Sequence, residues 1–211
     1  MGKIKQGILG GFSGRVGGVV GSSWKGIDVV KSRPLSVANP KTSGQVAQRG
    51  AFSQVVAFAA AILAAVIKPL WDRFQIQKSG YNAFVSTNIP FFSTSGLDTP
   101  ASLVISKGKM ESTAIASVTA TAGSPTVQIN WVDDSGSGYK GATDEAYAVV
   151  YNETTGEVVG GTDGNERADE YVTVTLSANL ASADDLHCYL AFKRKDGTVV
   201  SNTSYSNKVV S

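Results

Sequence analysis

Leu186-His187-Cys188-Tyr189-Leu190-Ala191-Phe192-Lys193 decides the fold class. Leu186, Cys188, Leu190 and Phe192 fall on one side of an extended chain, and His187, Tyr189, Ala191 and Lys193 on the other. A period of two is the mark of a β-strand with one face turned to a core. The pattern recurs upstream: Val127, Ile129 and Trp131 alternate with Gln128 and Asn130, and Val172, Val174 and Leu176 alternate with Tyr171, Thr173 and Thr175. Turn residues separate these stretches at Asp133 to Gly138, Thr154-Thr155-Gly156, Asp163-Gly164-Asn165 and Asp196-Gly197. Seven or so such strands, with a Trp on an early one, predict an all-β immunoglobulin/fibronectin type III-like sandwich over residues 98–211. Cys188 is the single cysteine, so no disulfide bridges the two sheets within one chain, which favours the fibronectin-like version.

Residues 1–97 read differently, as an α+β assembly or anchoring domain made of a β-hairpin and an Ala-rich helix. Nine glycines stand among apolar residues in positions 1–26, a density that lets backbones approach closely but makes an isolated strand entropically costly. Residues 23–31 alternate well enough for a second strand, which predicts a hairpin around Gly17 to Gly21. Asn39-Pro40-Lys41-Thr42-Ser43-Gly44-Gln45 then reads as a turn and helix start, with Thr42 as N-cap and Gln45 completing a capping box. The helix is expected from about Ser43 to Ile67. From Val55 onward its apolar residues wrap most of the circumference, so it needs covering nearly all round, which points to self-association. The apolar run Val55 to Ile67 is shorter than the ~20 residues of a membrane-spanning helix. Breakers between Ile89 and Pro100 suggest a domain boundary near Gly96 to Pro100.

The charge is split between the halves. Residues 1–80 hold eleven Lys and Arg against Asp28 and Asp72, whereas residues 81–211 hold eight against fifteen Asp and Glu, giving +9 and −7. Such asymmetry favours head-to-tail contact between copies or an N-terminal half that meets something acidic. Catalysis by a nucleophile and histidine would have to use His187, the only histidine, which the alternation places on the solvated strand face; Cys188 points into the core, where a thiol is inert. The pairs Asp133-Asp134, Asp144-Glu145, Asp169-Glu170 and Asp184-Asp185 read as solvated turn acids. No phosphate-binding loop or dinucleotide fingerprint occurs. The expectation is a non-enzymatic protein with no cofactor and no metal site.

The opening Met1-Gly2-Lys3-Ile4-Lys5-Gln6-Gly7-Ile8-Leu9-Gly10-Gly11-Phe12-Ser13-Gly14-Arg15-Val16-Gly17, with Trp24-Lys25-Gly26, resembles an uncharacterised family of Bacteroidota bacteria and their phages. The helix entry through Gln48-Arg49 and the segment Ser79-Gly80-Tyr81-Asn82-Ala83-Phe84 fit it too, and similar entries occur in phage structural proteins. The resemblance implies a virion subunit, capsid-, collar- or tail-associated, that forms homo-oligomers or binds other virion proteins. Phe12, Arg15, Trp24, Arg49, Phe52, Phe58, Ile62 and Trp71 are the expected interface residues. A bacterial surface or adhesion module is one alternative, although no Sec signal is recognisable. A nucleic-acid-associated protein of the bacterial cytoplasm, using the basic half, is another.

Overall fold

A computed structural model describes residues 2–3, 13–34, 36 and 39–211. Four short strands open the chain: β1 (Gly2–Lys3), β2 (Gly14–Val16), β3 (Val19–Trp24) and β4 (Ile27–Ser32), in the antiparallel order β1-β4-β3-β2. The expected hairpin is present, turning at Gly17-Gly18. The stretch read as one second strand is two, because Lys25-Gly26 forms a further tight turn with both residues at positive φ. A Lys-Gly pair accepts that geometry at low cost only through its glycine.

Helix α1 (Ser43–Ala61) starts where its cap predicts, with the Thr42 hydroxyl accepting from the Gln45 N–H at 3.4 Å. It does not continue straight to Ile67. At Ile62 the helix axis turns by 70° between α1 and the segment Leu63–Phe74, which opens with a wide π turn (Leu63–Ile67), in which the Ile67 N–H donates to the Ile62 carbonyl, and continues as α2 (Lys68–Trp71). Pro69 stands in the first turn of α2, where its missing N–H costs least. Helix α3 (Gly80–Asn88) follows, capped by Ser79. Among the described residues, no single helix is long and apolar enough to cross a membrane.

Seven strands make up the remainder: β5 (Ile115–Ala120), β6 (Thr126–Trp131), β7 (Glu145–Asn152), β8 (Glu157–Gly161), β9 (Tyr171–Thr175), β10 (Asp185–Lys193) and β11 (Ser204–Val209). They form two antiparallel sheets, β5-β6-β9 and β11-β10-β7-β8. The two sheets face each other over a core that holds Val127, Ile129, Trp131, Val150, Val172, Leu186, Cys188, Leu190 and Phe192. This is the face the alternation assigns to the interior. Burial pushes the Cys188 thiol pKa up to about 12, so the thiolate nucleophile is suppressed at neutral pH.

The other face of β7 and β10 departs from expectation. Tyr147, Val149, Tyr189 and Ala191 point away from the sandwich interior into a second core shared with Phe58, Ile62, Ile67, Trp71 and Phe84. The four-stranded sheet is therefore buried on both faces, sandwiched between the three-stranded sheet and a helical layer. That layer lies close: a Cβ placed on Gly160 of β8 would approach Val149 and Val66 side chains to 2.8 and 3.0 Å. The chain itself thus covers one side of the Ala-rich helix, which the sequence reading left for a second copy.

Leu97, at the expected domain boundary, lies inside this second core, as do Leu103 and Ile105 just beyond it. Asn88 ties the segment to α3: its amide N–H donates to the Phe84 and Val104 carbonyls at 3.0 and 2.9 Å, and its oxygen accepts from the Val104 N–H at 2.8 Å. The Trp71 indole N–H donates to the Ile105 carbonyl at 2.8 Å.

Candidate functional site

Of the eight residues expected to make contacts between subunits, Phe12 lies outside the described residues. Phe58, Ile62 and Trp71 are corrected by the structure, since all three are buried within this chain. Phe58 packs between Phe84, Phe92 and Tyr151, and Trp71 meets Phe84 edge-on. Their hydrophobicity serves the intramolecular core, which the sequence could not show without knowing that the sheet has a second apolar face. Arg15, Trp24, Arg49 and Phe52 remain at the surface. Arg15 donates to the Gly17 carbonyl across its own hairpin turn, and Arg49 reaches back to Asn39 ahead of its helix.

The surface residues belong to an unusual sheet. Strands β2 to β4 place no side chain in either core, and apart from Gly21 all their residues are exposed or half-buried. Val16 is 64% exposed and Trp24 56%. On α1, Phe52 is 51% exposed, as is Val46. Strands that bury so little, as β2 to β4 do, have little to set against the entropy of ordering them. Lys25 supplies one tether to the body, donating to the Lys78 carbonyl at 2.9 Å.

Two polar clusters in the sandwich correct the reading of its acids and its histidine. The first surrounds Arg167, which is fully buried. Its Nε and Nη2 both donate to Asp144 Oδ2 at 3.3 Å, its Nη1 to Asp134 Oδ1 at 2.6 Å and to the Thr113 hydroxyl, and its guanidinium carbon sits 3.9 Å from the centroid of the Phe192 ring. Lys140 joins at Asp134. Asp144 is buried rather than solvated, and so is Asp184, which accepts from Asn152 and from the Ala181 N–H. Sequence reasoning passed over Arg167, yet a signal exists: Lys140 and Arg167 are the only basic residues between Lys109 and Lys193, a span holding thirteen acids. Both contact the same carboxylate.

Partial burial works against ionisation of Asp134, but Lys140, Thr113 and Arg167 together hold its carboxyl below the ordinary value. A depressed folded-state pKa contributes stability above the unfolded-state pKa and loses it as pH falls through the folded value. The chain should therefore lose stability as pH drops below about 4. Asp134→Asn should be less stable at pH 7 and show a smaller acid-induced decline. Urea unfolding at pH 7 and at stepwise lower pH, compared between the two proteins, checks both points.

The second cluster surrounds His187, which is 5% exposed rather than solvated. The face it shares with Tyr189 is the one that the helical layer and neighbouring aromatic rings cover. Its ring lies nearly parallel to Tyr151 on β7 and Tyr205 on β11, with centroids 5.9 and 6.0 Å away. Nδ1 lies 2.9 Å from the Tyr205 hydroxyl, and Nε2 2.9 Å from Glu153 Oε2. Asn207 donates to Asp185 and lies 3.3 Å from Nδ1. Glu153 opens onto a shallow depression lined by Ser95, Gly96, Leu97, Asp98 and Tyr151.

This arrangement of exposed strands, helical layer and sandwich spans the match to a described family of unknown function, DUF6266, whose model covers residues 11–207. The chain belongs to that family. No curated protein matches it. Among solved structures, it is similar to the FN1-FN3 domains of chicken CNTN1, at 8% identity over 49% of this chain and 33% of that one, with a TM-score of 0.32. It is also similar to CopC from Methylosinus trichosporium OB3b, at 16% identity over 49% of this chain and 84% of that one, with a TM-score of 0.27. The chain thus spans one third of the CNTN1 fragment.

Proposed function

We propose that this protein is a non-enzymatic structural subunit of a phage particle, in which the N-terminal strands anchor to neighbouring subunits and a fibronectin type III-like sandwich is carried outward. The observation that carries this reading is the set of strands β2 to β4, residues 14–32, of which only Gly21 is buried. Val16 and Val19, paired across the hairpin, share one face of these strands and Trp24 lies on the other, while Val46 and Phe52 are exposed on α1; Arg15, Lys25 and Arg49 are exposed as well. Apolar patches bordered by charge are a common mark of protein interfaces. The charge split adds a direction: the basic half of one copy complements the acidic half of the next.

The full chain is expected to self-associate, or to bind purified particles of its host phage, at micromolar concentration. A variant lacking residues 1–38 should remain monomeric. Size-exclusion chromatography with light scattering measures the first, and co-sedimentation with particles the second. A full-length monomer without affinity for particle proteins would remove the proposal.

A further inference from the structure

We propose that His187, Glu153 and Asp185 form a binding site for a divalent transition-metal ion of the zinc type. One donor atom from each of the three residues can be chosen so that all lie within 4.8 Å of one another. The backbone builds this juxtaposition. Asp185 and His187 are two residues apart on β10 and so share a face. Glu153 follows the end of β7, where its N–H donates to the Asp185 carbonyl at 2.9 Å.

The donor set fits the ion. Zinc takes imidazole nitrogen and carboxylate oxygen at roughly 2.0–2.2 Å, which at tetrahedral angles sets donors about 3.3–3.6 Å apart. The 2.9 Å contact between His187 Nε2 and Glu153 would open slightly, and Asp185 would close in. Glu153 can follow because it is exposed and at the edge of an open depression. Oxygen ligands alone would suit a magnesium or calcium ion; the buried imidazole favours a softer dication.

Surrounding residues already hold the ligands in place. Tyr205 stands at Nδ1, Asn207 donates to Asp185, and two tyrosine rings flank the imidazole. Such outer partners are what orient metal-binding histidines and carboxylates elsewhere. In the tautomer with its proton on Nε2, the ring donates to Glu153 and Nδ1 accepts from Tyr205. On binding at Nε2 the proton resides on Nδ1 instead, and the Tyr205 oxygen accepts it. The ion would link β7 to β10 and, through Tyr205 and Asn207, to the edge strand β11.

Because His187 is the only histidine, one imidazole signal reports the event. The test titrates the full chain with zinc chloride at pH 7.5, following heat by calorimetry and the ring nitrogens by long-range 1H–15N spectroscopy. Expected are one equivalent of zinc, a switch of the ring proton from Nε2 to Nδ1, and a rise in Tm of about 5–10 °C at a hundredfold excess over Kd. Glu153→Gln at an exposed position and Asp185→Asn at a half-buried one should keep the metal-free Tm within a few degrees and each weaken binding at least tenfold. An unchanged imidazole spectrum at millimolar zinc, or undiminished binding in the double variant, would overturn the site.

Discussion

Replacing Arg167 by alanine should lower the free energy of unfolding by about 3–5 kcal/mol, the usual result of stripping one partner from a buried ion pair. For a chain of this size that corresponds to a fall in Tm of roughly 10 °C. Asp144 would be left inside the sandwich with only the Gly141 N–H, 2.8 Å away, in place of the guanidinium contacts. The Phe192 ring would lose the cation above it, and Met110 and Thr113 would line a cavity. Arg167→Lys should recover little, because an ammonium cannot serve Asp144, Asp134 and Thr113 from one planar fork. Guanidinium unfolding of Arg167→Ala, Asp144→Ala and the double variant checks the account. The double variant should be far less destabilised than the two single losses added together. A loss below about 1 kcal/mol in Arg167→Ala would mean that the buried pair is not what holds this end of the sandwich.

Truncation has an equally large expected effect, and two cut points give opposite results. A fragment of residues 98–211 contains every sandwich strand but exposes Tyr147, Val149, Tyr189 and Ala191 on the sheet's outer face, together with Leu103 and Ile105. It should aggregate or unfold without a cooperative transition. A fragment of residues 39–211 keeps the helical layer, the Thr42 cap and both cores, and its unfolding free energy should stay within about 0.5 kcal/mol of the full chain. Near-UV circular dichroism during thermal unfolding separates the outcomes. A cooperative, well-packed 98–211 fragment would support the division into two independent domains that the breaker residues around Gly96 to Pro100 suggest.

What the sequence disclosed follows from how local each signal is. Strand periodicity around Val127 and Leu186, the Thr42 cap and the glycine turns depend on neighbouring residues, and they appear where the pattern places them. The inner face of the sandwich was legible for the same reason. Its outer face was not, because Tyr147, Tyr189 and Tyr205 are amphipathic and read equally well as solvated or covered. His187 shared that ambiguity: an imidazole between two phenol rings has no linear signature when Tyr151, His187 and Tyr205 sit on three strands. Arg167 depends on Asp134 and Asp144, brought together only by the fold. Phe58, Ile62 and Trp71 are large apolar groups expected at a subunit interface, but they pack instead in this chain's own core.

The wide turn after Ala61 explains how one helical segment can be apolar on every side. Residues nine apart in a straight α-helix point about 180° away from each other, since each residue advances the wheel by about 100°. Ile62 and Trp71 are nine apart, yet both are buried in the same core. The extra residue of the π turn that lies between them brings their directions closer together. Deleting a single alanine from this turn would leave composition and hydrophobicity almost unchanged while rotating Leu70 and Trp71 off the sheet. The segment is therefore specified by its count of residues as much as by their kind.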